Sequence, residues 1–228
     1  MTSGSSPALT TDKMANEAAL SRCLYIIGAQ CTGKTTLVNA LEDAFHQGDT
    51  ALPVPEVASR PVIIREVART VLQDKHFNRE DITASPSRSL QLQKHILDAQ
   101  FEAEHTAIGL DMPPTTWYIS DRSGLDPIIY AQLFVGEEAA GEMLASAKWK
   151  ELERRMKAGV VMLCEAGCSW LADDGTRLMP DGTEAWMRID DAFRKQLADR
   201  GIHYTLVPNH VISLEARVQL VQECLSNS

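Results

Sequence analysis

The stretch from Leu24 to Thr36 constrains this chain more than any other. An apolar run, Leu24-Tyr25-Ile26-Ile27, passes into Gly28-Ala29-Gln30-Cys31-Thr32-Gly33-Lys34-Thr35-Thr36, after which Leu37, Val38, Leu41 and Phe45 recur at helical spacing. A buried strand, a loop bounded by two glycines and a new helix in that order have the spacing of a phosphate-binding P-loop. Gly28 and Gly33 let the backbone bend so that the N–H groups of Ala29, Gln30, Cys31 and Thr32 can face phosphate oxygens, and the new helix adds its positive end. Lys34 then reaches the β- and γ-phosphates, Thr35 offers a hydroxyl to Mg²⁺, and Thr36 can bond a further phosphate oxygen.

The rest of the chain alternates short apolar runs with helical patterns. Val62-Ile63-Ile64, Trp117 to Ser120, Val160 to Cys164 and His203 to Val207 read as four more strands. Between them lie helical patterns at Val67 to Leu72, Ser89 to Ile108 and Glu137 to Lys157, and Leu214, Val218, Val221 and Leu225 mark a final helix. This predicts an α/β chain with the P-loop NTPase fold: a five-stranded parallel sheet with helices on both faces and ligand at the C-terminal strand ends. Asp74 to Ser89, polar and containing Pro86, reads as a loop. On the long helix, the stripe Gln93, Leu97, Gln100, Glu104 is less apolar than a core face, and Glu102-x-x-His105 reads as a solvated pair. Asp174-Gly175 and Asp181-Gly182 signal an irregular excursion, a small lid at about 168–188. Residues 1–20, rich in Ser, Thr and Ala, read as a disordered tail, leaving 21–228 as one domain.

Charge and cysteine usage narrow the function classes. With 31 acidic against 22 basic residues the net charge is −9, which argues against a broad nucleic-acid-binding surface. No apolar run approaches a membrane span, and the N-terminal stretch lacks the apolar core of a signal peptide. Five cysteines, an odd number, fit free thiols in a reducing, cytoplasmic compartment. Cys164-x₃-Cys168 has no second pair or nearby histidine to complete a metal site and reads as packing.

Charged clusters follow three of the strands, and a parallel sheet gathers them beside the P-loop. Asp121 ends the third strand, where a carboxylate either holds Mg²⁺ or caps the next helix; Arg122 beside it can grip a transferred phosphoryl group or an acceptor. Glu66, flanked by Arg65 and Arg69, is either a base for an acceptor hydroxyl or part of a surface ion-pair cluster. Arg177 and Arg188 lie in or beside the lid, where closure would bring positive charge to the migrating phosphoryl; a solvated hairpin is the plainer reading. Asn209, in Pro208-Asn209-His210 after the last strand, sits either in a loop that contacts the nucleotide or in a simple turn.

The P-loop, Arg65-Glu66-Val67-Ala68-Arg69, the glutamine-bearing helix, Asp121-Arg122-Ser123-Gly124-Leu125-Asp126 and Trp170…Asp174-Gly175-Thr176-Arg177 occur here in the order seen in the NadR-like AAA family. The chain resembles that family from about Arg22 to Leu220. Its members are P-loop ATPase or kinase domains similar to ribosylnicotinamide kinase and, more distantly, to the deoxynucleoside kinases. The resemblance implies ATP and Mg²⁺ as cofactors. It also places Glu66 where a catalytic base lies and Asp121-Arg122-Ser123 where those kinases carry an acid-Arg-Ser motif. The expected function is transfer of the γ-phosphoryl of ATP to a hydroxyl of a nucleoside or nucleotide-like molecule, with Lys34, Glu66, Asp121, Arg122 and Arg177 as catalytic residues. The alternatives are a nucleotide-dependent ATPase or switch and, third, a polynucleotide kinase. The sequence does not contain a clear guanine-reading Asn/Thr-Lys-x-Asp motif, which favours ATP, and it leaves the oligomeric state open.

Overall fold

The computed structural model describes residues 20–47, 60–78, 80–109, 112–113, 115–170 and 182–227. In chain order the elements are β1 (Leu24–Ile27), α1 (Lys34–Gln47), β2 (Val62–Ile64), α2 (Val67–Asp74), α3 (Asp81–Ala84), α4 (Pro86–Ala107) and β3 (Tyr118–Asp121). They continue with α5 (Leu125–Phe134), α6 (Glu137–Ala145), α7 (Ala147–Ala158), β4 (Val160–Cys164), α8 (Gly182–Arg200), β5 (Thr205–Val207) and α9 (Leu214–Ser226).

All five strands are parallel, in the order β2-β3-β1-β4-β5. The P-loop strand is therefore central, fully buried, and flanked by β3 and β4. Helices α1 and α9 pack on each other and against the sheet, with Leu37, Val38 and Leu41 of α1 buried and Phe45 meeting Trp117 edge-on. Helices α4, α5 and α7 form the other layer, and α6 and α8 pack against α5. Register places Ile26 beside Asp121 and Ile64 beside Ser120. The residues that follow β2, β3 and β1 thus emerge at one edge of the sheet, as expected for ligands of a parallel sheet.

Several boundaries differ from the sequence expectation, each for a local reason. Helix α4 begins at Pro86, not Ser89: proline suits the first helical position, where its missing N–H costs nothing, and Ser85 caps the helix by accepting from the Arg88 N–H. The loop expected before it also holds α3, which the Arg88–Asp81 ion pair ties to α4. The charged helix is two helices, because Ser146 starts α7 by accepting from the Trp149 N–H at 3.2 Å. Strand β3 ends on Asp121 itself, and β5 is limited to Thr205–Val207. Of the expected lid, 171–181 lie outside the described residues and 182–188 are the first turns of α8. The expected N-terminal tail lies outside them except for Leu20, which is buried.

The polar stripe of α4 faces the interior. Gln93, Gln100 and Glu104 are all buried, whereas Glu102 and His105 are exposed. Glu104 accepts from Tyr118 Oη at 2.7 Å, Gln100 Nε2 at 2.9 Å and Tyr25 Oη at 3.0 Å. The two phenol oxygens also lie against each other, and Gln100 Nε2 reaches Ser120 Oγ at 3.0 Å. A carboxylate can be buried here because three donors replace water. Burial still wins, pushing the Glu104 pKa above its ordinary value against the hydrogen bonds from Gln100 and Tyr118 and the nearby Arg155.

The folded chain therefore holds the Glu104 proton more tightly than the unfolded chain does. Its contribution to stability should fall as pH rises from the ordinary carboxylate range towards the raised value. Urea unfolding across that range should show this decline in the native chain, and the Glu104→Gln variant should lose it. Identical pH profiles for the two proteins would contradict the assignment.

Candidate functional site

The P-loop turns where its glycines stand. Gly28 has φ +130°, and a Cβ there would lie 2.4 Å from the Cys164 carbonyl oxygen, so a side chain would have to displace the backbone of β4. Cys31 at φ +60° and Gly33 at φ +83° complete the reversal into α1. The loop is gripped by its carbonyls. Trp186 Nε1 of α8 donates to Gln30 O at 2.8 Å, Arg217 Nη1 of α9 donates to Thr32 O at 2.9 Å, and Lys34 Nζ and Thr32 Oγ1 both donate to Ala29 O. Tyr130 Oη of α5 donates to Gln30 Oε1 at 2.7 Å. Lys34 is buried; desolvation, then the like charge of Arg122, pushes its pKa down to about 8. Thr36 is exposed on the first turn of α1.

Beside the loop, Thr35 Oγ1 donates to Asp121 Oδ2 at 2.6 Å, and Asp121 Oδ1 is buried with no hydrogen-bond partner. The carboxylate is turned to the P-loop and not to the start of α5, where Ser123 Oγ accepts from the Leu125 N–H and Asp126 accepts from the N–H and hydroxyl of Ser123. Arg122 has φ +86°, a left-handed conformation that a side chain normally avoids. Its N–H donates to Ile26 O at 3.0 Å, while Nε reaches Glu66 Oε1 at 2.7 Å and Nη1 reaches Asp126 Oδ1 at 3.3 Å. Burial opposes the charge of Arg122, but the carboxylates of Glu66 and Asp126 outweigh it and raise its pKa. Glu66 also accepts from Arg69 Nε at 2.9 Å. Glu66, Arg122 and Asp126 of this cluster are buried and Arg69 is half-buried, whereas Arg65 turns away to Asn39 and Glu42.

Glu66 and Arg122 border a pocket beside the P-loop. Gln30, Glu66, Arg69, Arg122 and Tyr130 line one side of it. Leu72, Ile82, Leu92 and Ile96, contributed by α2, α3 and α4, line the other and belong to a hydrophobic cluster separate from the main core. Gln30 Nε2 and Gln93 Nε2 are buried in this lining without hydrogen-bond partners.

Arg177 lies outside the described residues, and Arg188 is exposed on α8. Asn209 is on the far side of the P-loop from the pocket-forming helices. Its side-chain amide donates to Ala166 O at 2.8 Å and its N–H donates to Glu165 Oε2 at 3.0 Å, tying the end of β5 to the segment after β4. The same region holds Arg217, which stacks on Trp170 at 4.6 Å and donates to Val211 O at 2.8 Å. Sequence reasoning did not single out Tyr130, Trp186 or Arg217, because each is a single residue on a helix with no motif around it. All five cysteines are free thiols, and among the described residues no cluster of three or more His, Cys, Asp or Glu could hold a metal ion. Among those residues no helix is long and apolar enough to cross a membrane.

A family model described as an AAA domain matches residues 23–217, most of the chain and the whole of the P-loop site. The chain belongs to this AAA-domain family. Its fold is that of solved NadR structures. One, NadR in complex with NR, aligns with TM-score 0.67 at 14% identity over 92% of this chain and 52% of that one. Another, NadR in complex with NAD and AMP-PNP, aligns with TM-score 0.64 at 14% identity over 93% of this chain and 51% of that one. The chain thus spans about half the length of the NadR chains it matches. Comparison with curated protein sequences gives no significant match.

The carbonyl contact at Gly28 makes a stability prediction. Gly28→Ala combines a disfavoured positive φ with overlap on a backbone oxygen and should cost about 2–4 kcal/mol. Trp186→Phe keeps the ring but removes the donor to Gln30 O, and should cost about 1 kcal/mol. Urea denaturation measures both, and a Gly28→Ala variant as stable as the native chain would overturn the packing argument.

Proposed function

We propose that this AAA-domain chain is an ATP- and Mg²⁺-dependent kinase that transfers the γ-phosphoryl group to a hydroxyl of a small nucleoside-like molecule. The observation that carries this reading is the pocket: it opens beside the P-loop at Gln30 and has Glu66, Arg69 and Arg122 on the P-loop side, so a second molecule can lie against the phosphates. An ATPase or switch needs no such compartment. A polynucleotide kinase fits poorly with a net charge of −9.

The residues divide the work by strand. The P-loop, with Lys34, holds the phosphate chain. Thr35 and Asp121 fit Mg²⁺, since a hydroxyl and a carboxylate already touch and the second carboxylate oxygen is buried and unpartnered; this metal usually takes few protein oxygens and completes its shell with phosphate and water. When bound, Mg²⁺ would offset the charge of the phosphate oxygens. Glu66 orients the acceptor hydroxyl and takes its proton as the new O–P bond forms and the bond from the γ-phosphorus to the bridging oxygen of ADP breaks. Arg122, and Arg177 from the lid, supply positive charge to the migrating group. Asn209 belongs to the nucleotide side, on the loop after β5. NadR in its complexes with NR and with NAD and AMP-PNP supports ligands of this class on this fold.

Two outcomes follow from the charges. Free Lys34 loses its proton near pH 8, and bound phosphates would hold it. Triphosphate affinity should therefore be level below pH 8 and fall above it by up to roughly tenfold per pH unit, a slope that Lys34→Arg should flatten. Calorimetric titration from pH 6.5 to pH 9.5, values chosen to bracket about one unit or more on each side of that pKa, reads this directly. Glu66→Gln should bind triphosphate normally but slow transfer to the acceptor about a hundredfold. Labelled ATP supplied with a nucleoside panel is the assay; label released only as phosphate, whatever occupies position 66, would favour the ATPase reading.

A further inference from the structure

The phosphate-binding role of Gln30 uses its backbone N–H and leaves its side chain without a task. Gln30 is 2% exposed, forms part of the pocket wall beside the P-loop, and its Nε2 has no hydrogen-bond partner. A buried donor without a partner costs stability, and such a group in a pocket wall is a place for a ligand atom. The rest of the residue is held. Its carbonyl accepts from Trp186 Nε1, and its Oε1 accepts from Tyr130 Oη. Burial pushes the Tyr130 pKa up to about 12 against the charge of Arg122, so the phenol keeps its proton. Arg122 cannot accept that proton, and Gln30 Oε1, at 2.7 Å, does. The amide is thereby turned with its carbonyl to Tyr130 and its NH₂ group unspent.

The other donors on this side of the pocket are cations with protein partners. Arg122 donates to Glu66 and Asp126, Arg69 donates to Glu66, and Lys34 donates to Ala29 O. They supply charge, but a ligand oxygen that takes one of their bonded hydrogens competes with a carboxylate or a carbonyl. The amide of Gln30 competes with nothing, and it turns about a soft terminal torsion, so Nε2 reaches the pocket side without backbone movement. Its place in the loop is decisive. Gln30 stands between Gly28 and Gly33, in the turn that wraps the phosphate chain, and belongs at the same time to the wall of the neighbouring pocket.

We propose that Gln30 is a catalytic residue whose Nε2–H donates to an oxygen of the γ-phosphoryl group while that group is in flight. As an oxygen of the acceptor forms its bond to the γ-phosphorus, the bond to the bridging oxygen breaks and ADP leaves with the electron pair; Gln30 gives up no proton and only holds a hydrogen bond. Charge in this transition state is spread over three oxygens, and a donor fixed in advance stabilises it without rearranging. Tyr130 is the positioning residue that fixes it. The proposal rests on the kinase reading only for the identity of the attacking oxygen, since hydrolysis by water would use the same contact.

The test is calorimetric titration of the full chain with Mg²⁺ and AMP-PNP, ADP, or ADP plus aluminium fluoride, a mimic of the phosphoryl group in flight. The acceptor that labelled ATP identifies is present, or water alone where none is found. The native chain should bind the fluoride complex at least about tenfold more tightly than ADP. Gln30→Met, close in shape, should keep AMP-PNP and ADP affinity within about threefold, weaken the fluoride complex by about tenfold or more and slow turnover about a hundredfold, the usual cost of losing one such donor. If that variant fails to fold by circular dichroism, Tyr130→Phe, which leaves Gln30 in place but unanchored, should weaken the fluoride complex selectively by about threefold or more. AMP-PNP affinity that falls as far as that for the fluoride complex, fluoride binding indifferent to position 30, a native chain that binds the fluoride complex no better than ADP, or a variant that raises the acceptor KM with kcat unchanged would overturn the proposal. Labelled ATP separates it from the kinase reading. Label released only as phosphate, and more slowly in Gln30→Met, would remove the kinase reading and keep this one; label on a hydroxyl compound at a rate indifferent to position 30 would do the reverse.

Discussion

A loop that offers its backbone N–H groups to a ligand cannot also spend them on holding its own shape. The P-loop here is gripped through its oxygens: Trp186 takes the carbonyl of Gln30, Arg217 that of Thr32, and Lys34 and Thr32 that of Ala29. The contact at Gly28 works the same way, since the missing side chain lets β1 pass the Cys164 carbonyl at a separation no Cβ allows. Helices α5, α8 and α9 all anchor this one turn, so much of the chain after β3 serves to fix it.

The charges at the strand ends form a second layer built on that anchor. Arg122 takes a left-handed backbone conformation between a carboxylate that faces Thr35 and a serine that starts α5, and its guanidinium joins Glu66 to Asp126. Backbone strain of this kind persists only where surrounding bonds over-determine it. Burial, and after it the like charge of Arg122, depresses the Lys34 pKa.

The parts of the site legible in the sequence are those specified locally. The P-loop shows in one run of residues, and Asp121, Arg122 and Glu66 show because strand ends in a parallel sheet converge. The α/β alternation was equally plain, since buried strands and amphipathic helices have different periods. Tyr130, Trp186 and Arg217 were not legible, because each lies from about 100 to 185 residues beyond its P-loop partner and joins it only through tertiary packing. The stripe around Glu104 looked too polar for core; it is core because Tyr25 and Tyr118, on two different strands, bring their hydroxyls to one carboxylate. Pro86 looked like a loop residue, yet with Ser85 before it the same proline starts a helix.

Strand order has a consequence for how such a protein can change over evolutionary time. Because β3 separates β1 from β2, the phosphate-holding residues and Glu66 belong to strands two spacings apart, about 10 Å across the sheet. On the reading proposed above, that span would work as a fixed ruler between two reacting molecules. The wall made by α2, α3 and α4 lies beyond its far mark and packs in its own apolar cluster, largely apart from the core beneath the P-loop. On that reading, substitutions in that wall would retune which molecule is accepted while the distance between P-loop and Glu66 stays the same, so descendants of one ancestor could drift in diet without rebuilding their engine.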